Sequence, residues 1–198
     1  MKTFKKTIAK IVGLSTLILT MNSALADEQK QLLKVDESTF TCINDMSPVR
    51  DFFVDNLNKK NLDKTLAVAK AGQGEYPEGS IVQLVPTEVM VKHAKGTNPT
   101  TNDWEFFELA VSKEGNTFTT RGFDNVKNKF GGNCLDCHKK ARPEFDMICE
   151  TGHGCDPIPI TKEMIKVIQK TDPRCTAPVD LDEREIAILG QLKAMLGG

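Results

Sequence analysis

Polar and apolar positions change their rhythm several times along this chain. An apolar run at residues 11–21 follows Lys2, Lys5, Lys6 and Lys10 and precedes Ala24-Leu25-Ala26. That order reads as a secretory signal cleaved before Asp27, so residues 1–26 are expected to be removed. The run is too short to span a bilayer, and no later segment is apolar for as long. Residues 27–38 are polar. Ser47-Pro48 then predicts a helix start, Ser as N-cap and Pro in the first turn, with Val49, Phe52, Phe53 and Leu57 on one face. A second helix is expected over Leu62–Ala71, stopped by Gly72.

Beyond Gly74 the period shortens to two. Residues 80–85 and 87–94 read as strands divided by Pro86. Residues 95–102 are turn-rich. Residues 103–112 form the strongest strand: Trp104, Phe106 and Glu108 alternate with Glu105, Phe107 and Leu109. Glu114-Gly115-Asn116 turns the chain back into a strand at 117–123. Turns this short make the sheet antiparallel. Past residue 140 the chain is loopy, with Pro143, Pro157 and Pro159. A short helix follows Thr161 and bears Met164, Ile165 and Ile168. A last helix starts at Asp180 with Glu183 three residues on, and Leu181, Ile188, Leu192 and Met195 form its stripe. The expected architecture is α+β, an antiparallel sheet with flanking helices. It divides into a sheet core at about 74–146 and a helical tail at about 147–198.

Charge narrows the partners. Removal of residues 1–26 takes four lysines and no acid, leaving 22 basic residues against 27 acidic ones. The chain has no basic patch interleaved with aromatics, so no nucleic-acid partner is indicated. Export implies an oxidising compartment, the periplasm of a bacterium.

The most specific motif is Cys134-Leu135-Asp136-Cys137-His138. Two thiols three positions apart can add to the two vinyl groups of one haem, and the histidine beside them becomes the axial ligand. The motif therefore calls for one covalent haem c held by Cys134, Cys137 and His138. A competing zinc set can be drawn from Cys134, Cys137, Cys149 and Cys155, with His138 and His153 as spares. A histidine at the fifth position adds nothing to a plain dithiol, and attachment of haem c outside the cytoplasm agrees with export. Cys42, Cys149, Cys155 and Cys175 remain, and four cysteines allow three connectivities. Cys149–Cys155, closed through Gly152 and Gly154, and Cys42–Cys175, tying the N-terminal segment to the tail, are the favoured pairs. Among further polar groups, His93 beside Lys92 and Lys95 reads as solvent-facing. Arg121 and Arg142 are surface arginines or haem-propionate partners.

Three blocks in order carry a resemblance: Tyr76-Pro77-Glu78-Gly79-Ser80, Asp103-Trp104-Glu105-Phe106-Phe107, and Cys134 to His138. Together they resemble the cytochrome P-460 and cytochrome c′-β family. The resemblance implies an antiparallel sheet holding a c-type haem, a five-coordinate iron with His138 proximal, and a homodimer. In the P-460 branch, which oxidises hydroxylamine, a lysine on the first strand is bonded to the macrocycle. The matching position here is Leu84, which has no nucleophile, and Lys92 would reach it only by a strand slip past Pro86. Members active on hydroxylamine can carry a distal carboxylate shortly before the motif; here that segment is Phe130-Gly131-Gly132-Asn133.

The distal pocket is accordingly expected to be apolar, built from Leu84, Phe118, Phe123 and Phe130. Such a wall suits a small diatomic or nitrogen-oxide ligand such as NO, with or without redox turnover and a periplasmic redox partner. Two alternatives stand beside it. One is a hydroxylamine- or NO-oxidising haem enzyme. The other is a six-coordinate electron-transfer cytochrome, with His153, Met90 or Met147 as the sixth ligand.

Overall fold

A computed structural model describes residues 32–195, so the expected signal segment lies outside the described residues. Six strands, β1 (Ser47–Val49), β2 (Phe52–Asn56), β3 (Ser80–Val85), β4 (Glu88–Lys92), β5 (Trp104–Ser112) and β6 (Gly115–Gly122), form one antiparallel sheet in sequence order. Among the described residues four α-helices accompany them, α1 (Leu62–Ala71), α2 (Cys134–His138), α3 (Lys162–Lys170) and α4 (Glu183–Met195). The fold is α+β, and its sheet begins at Ser47, well before the position expected from the sequence.

The helix expected from Ser47 is instead the β1–β2 hairpin. Val49 pairs with Phe52 across a turn in which Arg50 takes φ 52°. Phe52, Val54 and Asn56 are buried while Phe53 and Asp55 are half-exposed, a period of two. Phe-Phe-Val favours a pleated, half-buried surface. Pro48 is harmless because β1 is an edge strand, where a missing N–H interrupts no ladder. Arg50 fixes the hairpin from outside: its Nη2 donates to the Ala69 carbonyl at 2.8 Å, at the end of α1, and its Nε donates to Glu150 at 2.6 Å.

The central strands are buried on both faces. One face carries Val54, Val82, Met90, Trp104 and Phe106, and is covered by Leu66, Val68 and Ala69 of α1 together with Val126, Met147 and Ile148. The opposite face carries Ile81, Val89, Val91, Phe107 and Leu109, and is covered by Val35, Phe40 and Met46 of the N-terminal segment. His93 is buried there, contrary to the solvent-facing position expected. Its Nδ1 accepts from the Leu33 N–H at 3.1 Å, which places its proton on Nε2, facing Glu105 at 2.8 Å. Arg121 completes that cluster, donating to Glu105 at 2.8 and 3.0 Å.

In the tail, α3 packs on β3, and α4 packs on α3 through Val167, Ile188 and Leu192. The pattern Asp-x-x-Glu occurs twice at the start of α4, and the chain uses the second copy. The Asp182 carboxylate accepts from the Glu185 N–H at 2.8 Å, and the Glu185 carboxylate from the Asp182 N–H at 3.0 Å. Met195 ends exposed rather than in the stripe. Cys42–Cys175 and Cys149–Cys155 are disulfides. The first closes a separation of 133 residues, worth roughly 5 kcal/mol in the chain-entropy account. Among the described residues no helix is long and apolar enough to cross a membrane.

Gly79, immediately before β3, is a tight backbone position. It takes φ 82°, and a Cβ there would meet the side-chain oxygen Oδ1 of Asn56 at 2.6 Å. Asn56 cannot yield, because its amide donates to Thr65 at 3.0 Å and to the Glu78 carbonyl at 3.1 Å. Gly79→Ala is expected to lower stability by roughly 1–3 kcal/mol. Gly190→Ala, in open space on α4, is expected to raise it by roughly 0.5–1 kcal/mol. Denaturant melts of the two variants check this; equal losses would contradict the packing described.

Candidate functional site

Helix α2 is one turn long and is set by its neighbours rather than by its own propensity. The loop before it closes at the Lys127–Asn133 bridge. Asn128 Oδ1 accepts from the N–H groups of Phe130 and Gly132, at 3.1 and 2.9 Å. Asn133 caps the helix, accepting from the Asp136 N–H at 3.0 Å, and the Cys134 N–H donates to the Val126 carbonyl at 3.0 Å. Cys134 and Leu135 thereby pack against the face of the sheet that carries Met90, Trp104 and Phe106.

His138 is the ordered end of this helix. Its ring lies 5.4 Å from the Phe106 ring, and Nδ1 is 2.7 Å from the Met147 carbonyl oxygen. A carbonyl only accepts, so the proton sits on Nδ1 and the Nε2 lone pair is left available. Burial holds the imidazole below its ordinary pKa, against the pull of that carbonyl. A fixed tautomer with the second nitrogen tied to a carbonyl is the arrangement metal-ligating histidines use.

Cys134 and Cys137 are free thiols. Burial first, then the nearby carboxylates Glu88 and Glu108, push the Cys134 thiol up to about 12. A reactive dithiol has the opposite shift. The zinc set dissolves, because Cys149 and Cys155 are bonded to each other.

The turn that presents the Met147 carbonyl is unusual. Asp146 and Met147 are consecutive non-glycine residues in the left-handed region, with φ 47° and 64°. Such residues cost about 1–3 kcal/mol each unless the surroundings fix them. Asp146 is fixed several times over. Lys92 Nζ donates to its two oxygens at 2.7 and 2.9 Å, the Tyr76 N–H donates to Oδ2 at 2.8 Å, and Trp104 Nε1 donates to its carbonyl at 2.9 Å. Lys92 also donates to the Asn102 carbonyl at 2.5 Å and lies 5.1 Å from the centre of the Trp104 ring. Its amine is fully occupied.

The proposed wall residues separate. Leu84 is on the Cys134 face, and Phe130 is half-buried in the loop leading into α2. Phe118 packs with Phe40 and Phe107 on the opposite face, and Phe123 lies beside His93 there. Neither lines the motif: strand alternation and the bulge near Leu109 send both away from it. Arg121 is committed to Glu105, while Arg142 donates to Glu144 at 2.9 Å and to the Gly152 carbonyl at 2.8 Å. His153 stacks on Phe145 at 3.7 Å, with Nδ1 2.7 Å from the Ile148 carbonyl oxygen.

Two residues that sequence reasoning passed over stand on the motif's face. Glu88 and Glu108 are directly opposite each other in the β4–β5 register, one same-face rung beyond Met90 and Phe106. Glu108 is buried and neither of its carboxyl oxygens has a hydrogen-bond partner. Burial and the neighbouring Glu88 push its carboxyl up to about 8, against a small pull from Lys129; burial likewise pushes Glu88 up to about 7. An acid at a predicted inward-facing strand position was the only available signal.

No family model matches the chain, and neither a curated protein nor a solved structure does.

The Glu108 shift has a consequence for stability. Its folded pKa lies above the unfolded one, so between about pH 4.5 and about pH 8 the folded state holds the extra proton. Stability from this group therefore falls as pH rises through that window. Melting temperature against pH is expected to decline over it, and Glu108→Gln to flatten the decline. An identical slope in both proteins would contradict the burial of an unpartnered carboxyl.

Proposed function

We propose that this chain is an exported, periplasmic monohaem c-type cytochrome of the P-460/c′-β kind, which binds a small nitrogen-oxide or diatomic ligand such as NO. One observation carries the reading. Cys134 and Cys137 stay unpaired while the other four cysteines are in disulfides, and His138, one position on, has Nδ1 committed to the Met147 carbonyl. The chemistry of this donor set fits a haem c: two thiols on one helical turn for the vinyl groups, and a neutral imidazole nitrogen for the iron. When bound, the haem supplies an iron centre that ligates small molecules and changes oxidation state.

The chain's own residues do the rest. Cys134 and Cys137 would hold the haem, and His138 would supply a nitrogen to its iron. Leu84, which the resemblance matches to the cross-linking lysine of the hydroxylamine-oxidising branch, is on the Cys134 face and has no nucleophile, and the amine of Lys92 is held by Asp146. The aliphatic and aromatic groups Leu84, Met90 and Phe106 favour a neutral ligand over an anion. The resemblance also implies a homodimer.

A second reading, oxidation of hydroxylamine or NO, draws on Glu108. A buried carboxyl with no partner and a pKa raised toward neutrality can accept and release a proton, which N–H oxidation requires.

The absorption spectrum of the reduced, exported protein separates these readings. The expected result is a high-spin spectrum without a macrocycle cross-link that changes on adding NO. Sharp low-spin bands unaffected by NO would overturn ligand binding in favour of a carrier. Turnover of hydroxylamine, lost in Glu108→Gln, would establish the second reading instead.

A further inference from the structure

We infer that Lys92 and Asp146 are positioning residues for His138: their buried ion pair holds the left-handed turn at 146–147 whose carbonyl sets the imidazole. The inference rests on the haem reading above and adds residues distant from the motif in sequence. The links are continuous. Lys92, at the end of β4, and Trp104, at the start of β5, both donate to Asp146, one to its carboxylate and one to its carbonyl. Tyr76, in the segment before β3, donates to the same carboxylate through its N–H. Asp146 is thus clamped at side chain and main chain, and Met147 follows it at φ 64°. From there the Met147 carbonyl reaches His138 Nδ1 at 2.7 Å.

The far side of the turn is braced separately. The Ile148 N–H donates to the Phe145 carbonyl at 2.8 Å, and His153, inside the small disulfide loop, stacks on Phe145 and meets the Ile148 carbonyl at 2.7 Å. A carbonyl held from both sides cannot follow the imidazole, so the imidazole follows the carbonyl. Hydrogen bonding at the non-ligating nitrogen raises the donor strength of the other. The ion pair therefore tunes the proximal ligand without touching it.

The chain carries an internal control. Asp172 and Arg174 form an ion pair equally buried, at 2.7 Å, which accepts the Ile43 N–H and has no link to the 146–147 turn. Asp146→Asn and Asp172→Asn both weaken a buried pair, and only the first lies on the path to His138.

The test compares both variants, as full chains exported and isolated with their haem. Expected for Asp146→Asn is unchanged covalent haem on a denaturing gel, a lower iron–histidine stretching frequency in the reduced protein, and a higher reduction potential. Asp172→Asn should lower the melting temperature and move neither signal. Wild-type values for both signals in Asp146→Asn, or equal shifts in the two variants, would overturn the inference. Should Asp146→Asn fail to accumulate, Lys92→Met/Asp146→Asn leaves no unpaired buried charge and is read the same way. A wild-type preparation without haem would sink the haem reading by itself. The isolated protein's nitrogen NMR then decides the positioning: a His138 Nδ1 proton protected in wild type and Asp172→Asn but exchanging in Asp146→Asn supports it, and equal protection in all three overturns it.

Discussion

Asp146 is a buried carboxylate that answers to three separate stretches of the chain at once. Lys92 neutralises it from the end of β4, Tyr76 donates a backbone N–H from the approach to β3, and Trp104 holds its carbonyl from β5. Removing either charged partner of such a pair leaves an uncompensated buried charge, a loss of about 3–5 kcal/mol. The consequence is geometric as well as energetic. The segment after α2 must turn left-handed at two successive non-glycine residues, and it does so only because Asp146 is held. The sheet, the motif helix and the disulfide-closed loop meet at this turn. The strand face that carries Met90 and Phe106 thereby comes to sit under Cys134 and His138.

That face has a mixed chemistry. Its centre is apolar, with Leu84, Met90 and Phe106, and its next rung is a pair of opposed carboxylates. Like charges opposite each other in a sheet are unfavourable, and burial makes them more so. Glu88 and Glu108 both respond by holding protons more tightly. A single ionised member of the pair is compatible with proton transfer. The oxidation reading draws on this rung, and the ligand-binding reading on the apolar centre beside it.

Local chemistry was legible in the sequence; contacts made by the backbone were not. The motif, the spare cysteines, the Gly72 stop after α1 and the Thr161 cap of α3 carry their signals in adjacent letters, and the structure pairs Cys42 with Cys175 and Cys149 with Cys155. The segment at 47–57 misled because Val49, Phe52, Phe53 and Leu57 satisfy a helical spacing while Phe52, Val54 and Asn56 satisfy a strand's; tertiary pairing with β3 chose between them. His93 looked exposed among lysines, yet strand alternation turns it inward against Glu105. Phe118 and Phe123 failed as pocket residues because apolar character does not say which face of the sheet a residue takes. The Met147 carbonyl had no signal at all, since any residue supplies a carbonyl and the left-handed turn that aims it is dictated from β4 and β5.

The central claim is that Cys134 and Cys137 are spare thiols reserved for one haem, in a chain whose other cysteines are already paired. Intact mass of the exported protein, taken denatured but not reduced and after treatment with a thiol alkylator, tests it most directly. The account predicts a chain beginning at Asp27, heavier by one haem, with no alkylated cysteine. An unmodified chain taking up two alkyl groups at Cys134 and Cys137 would contradict it.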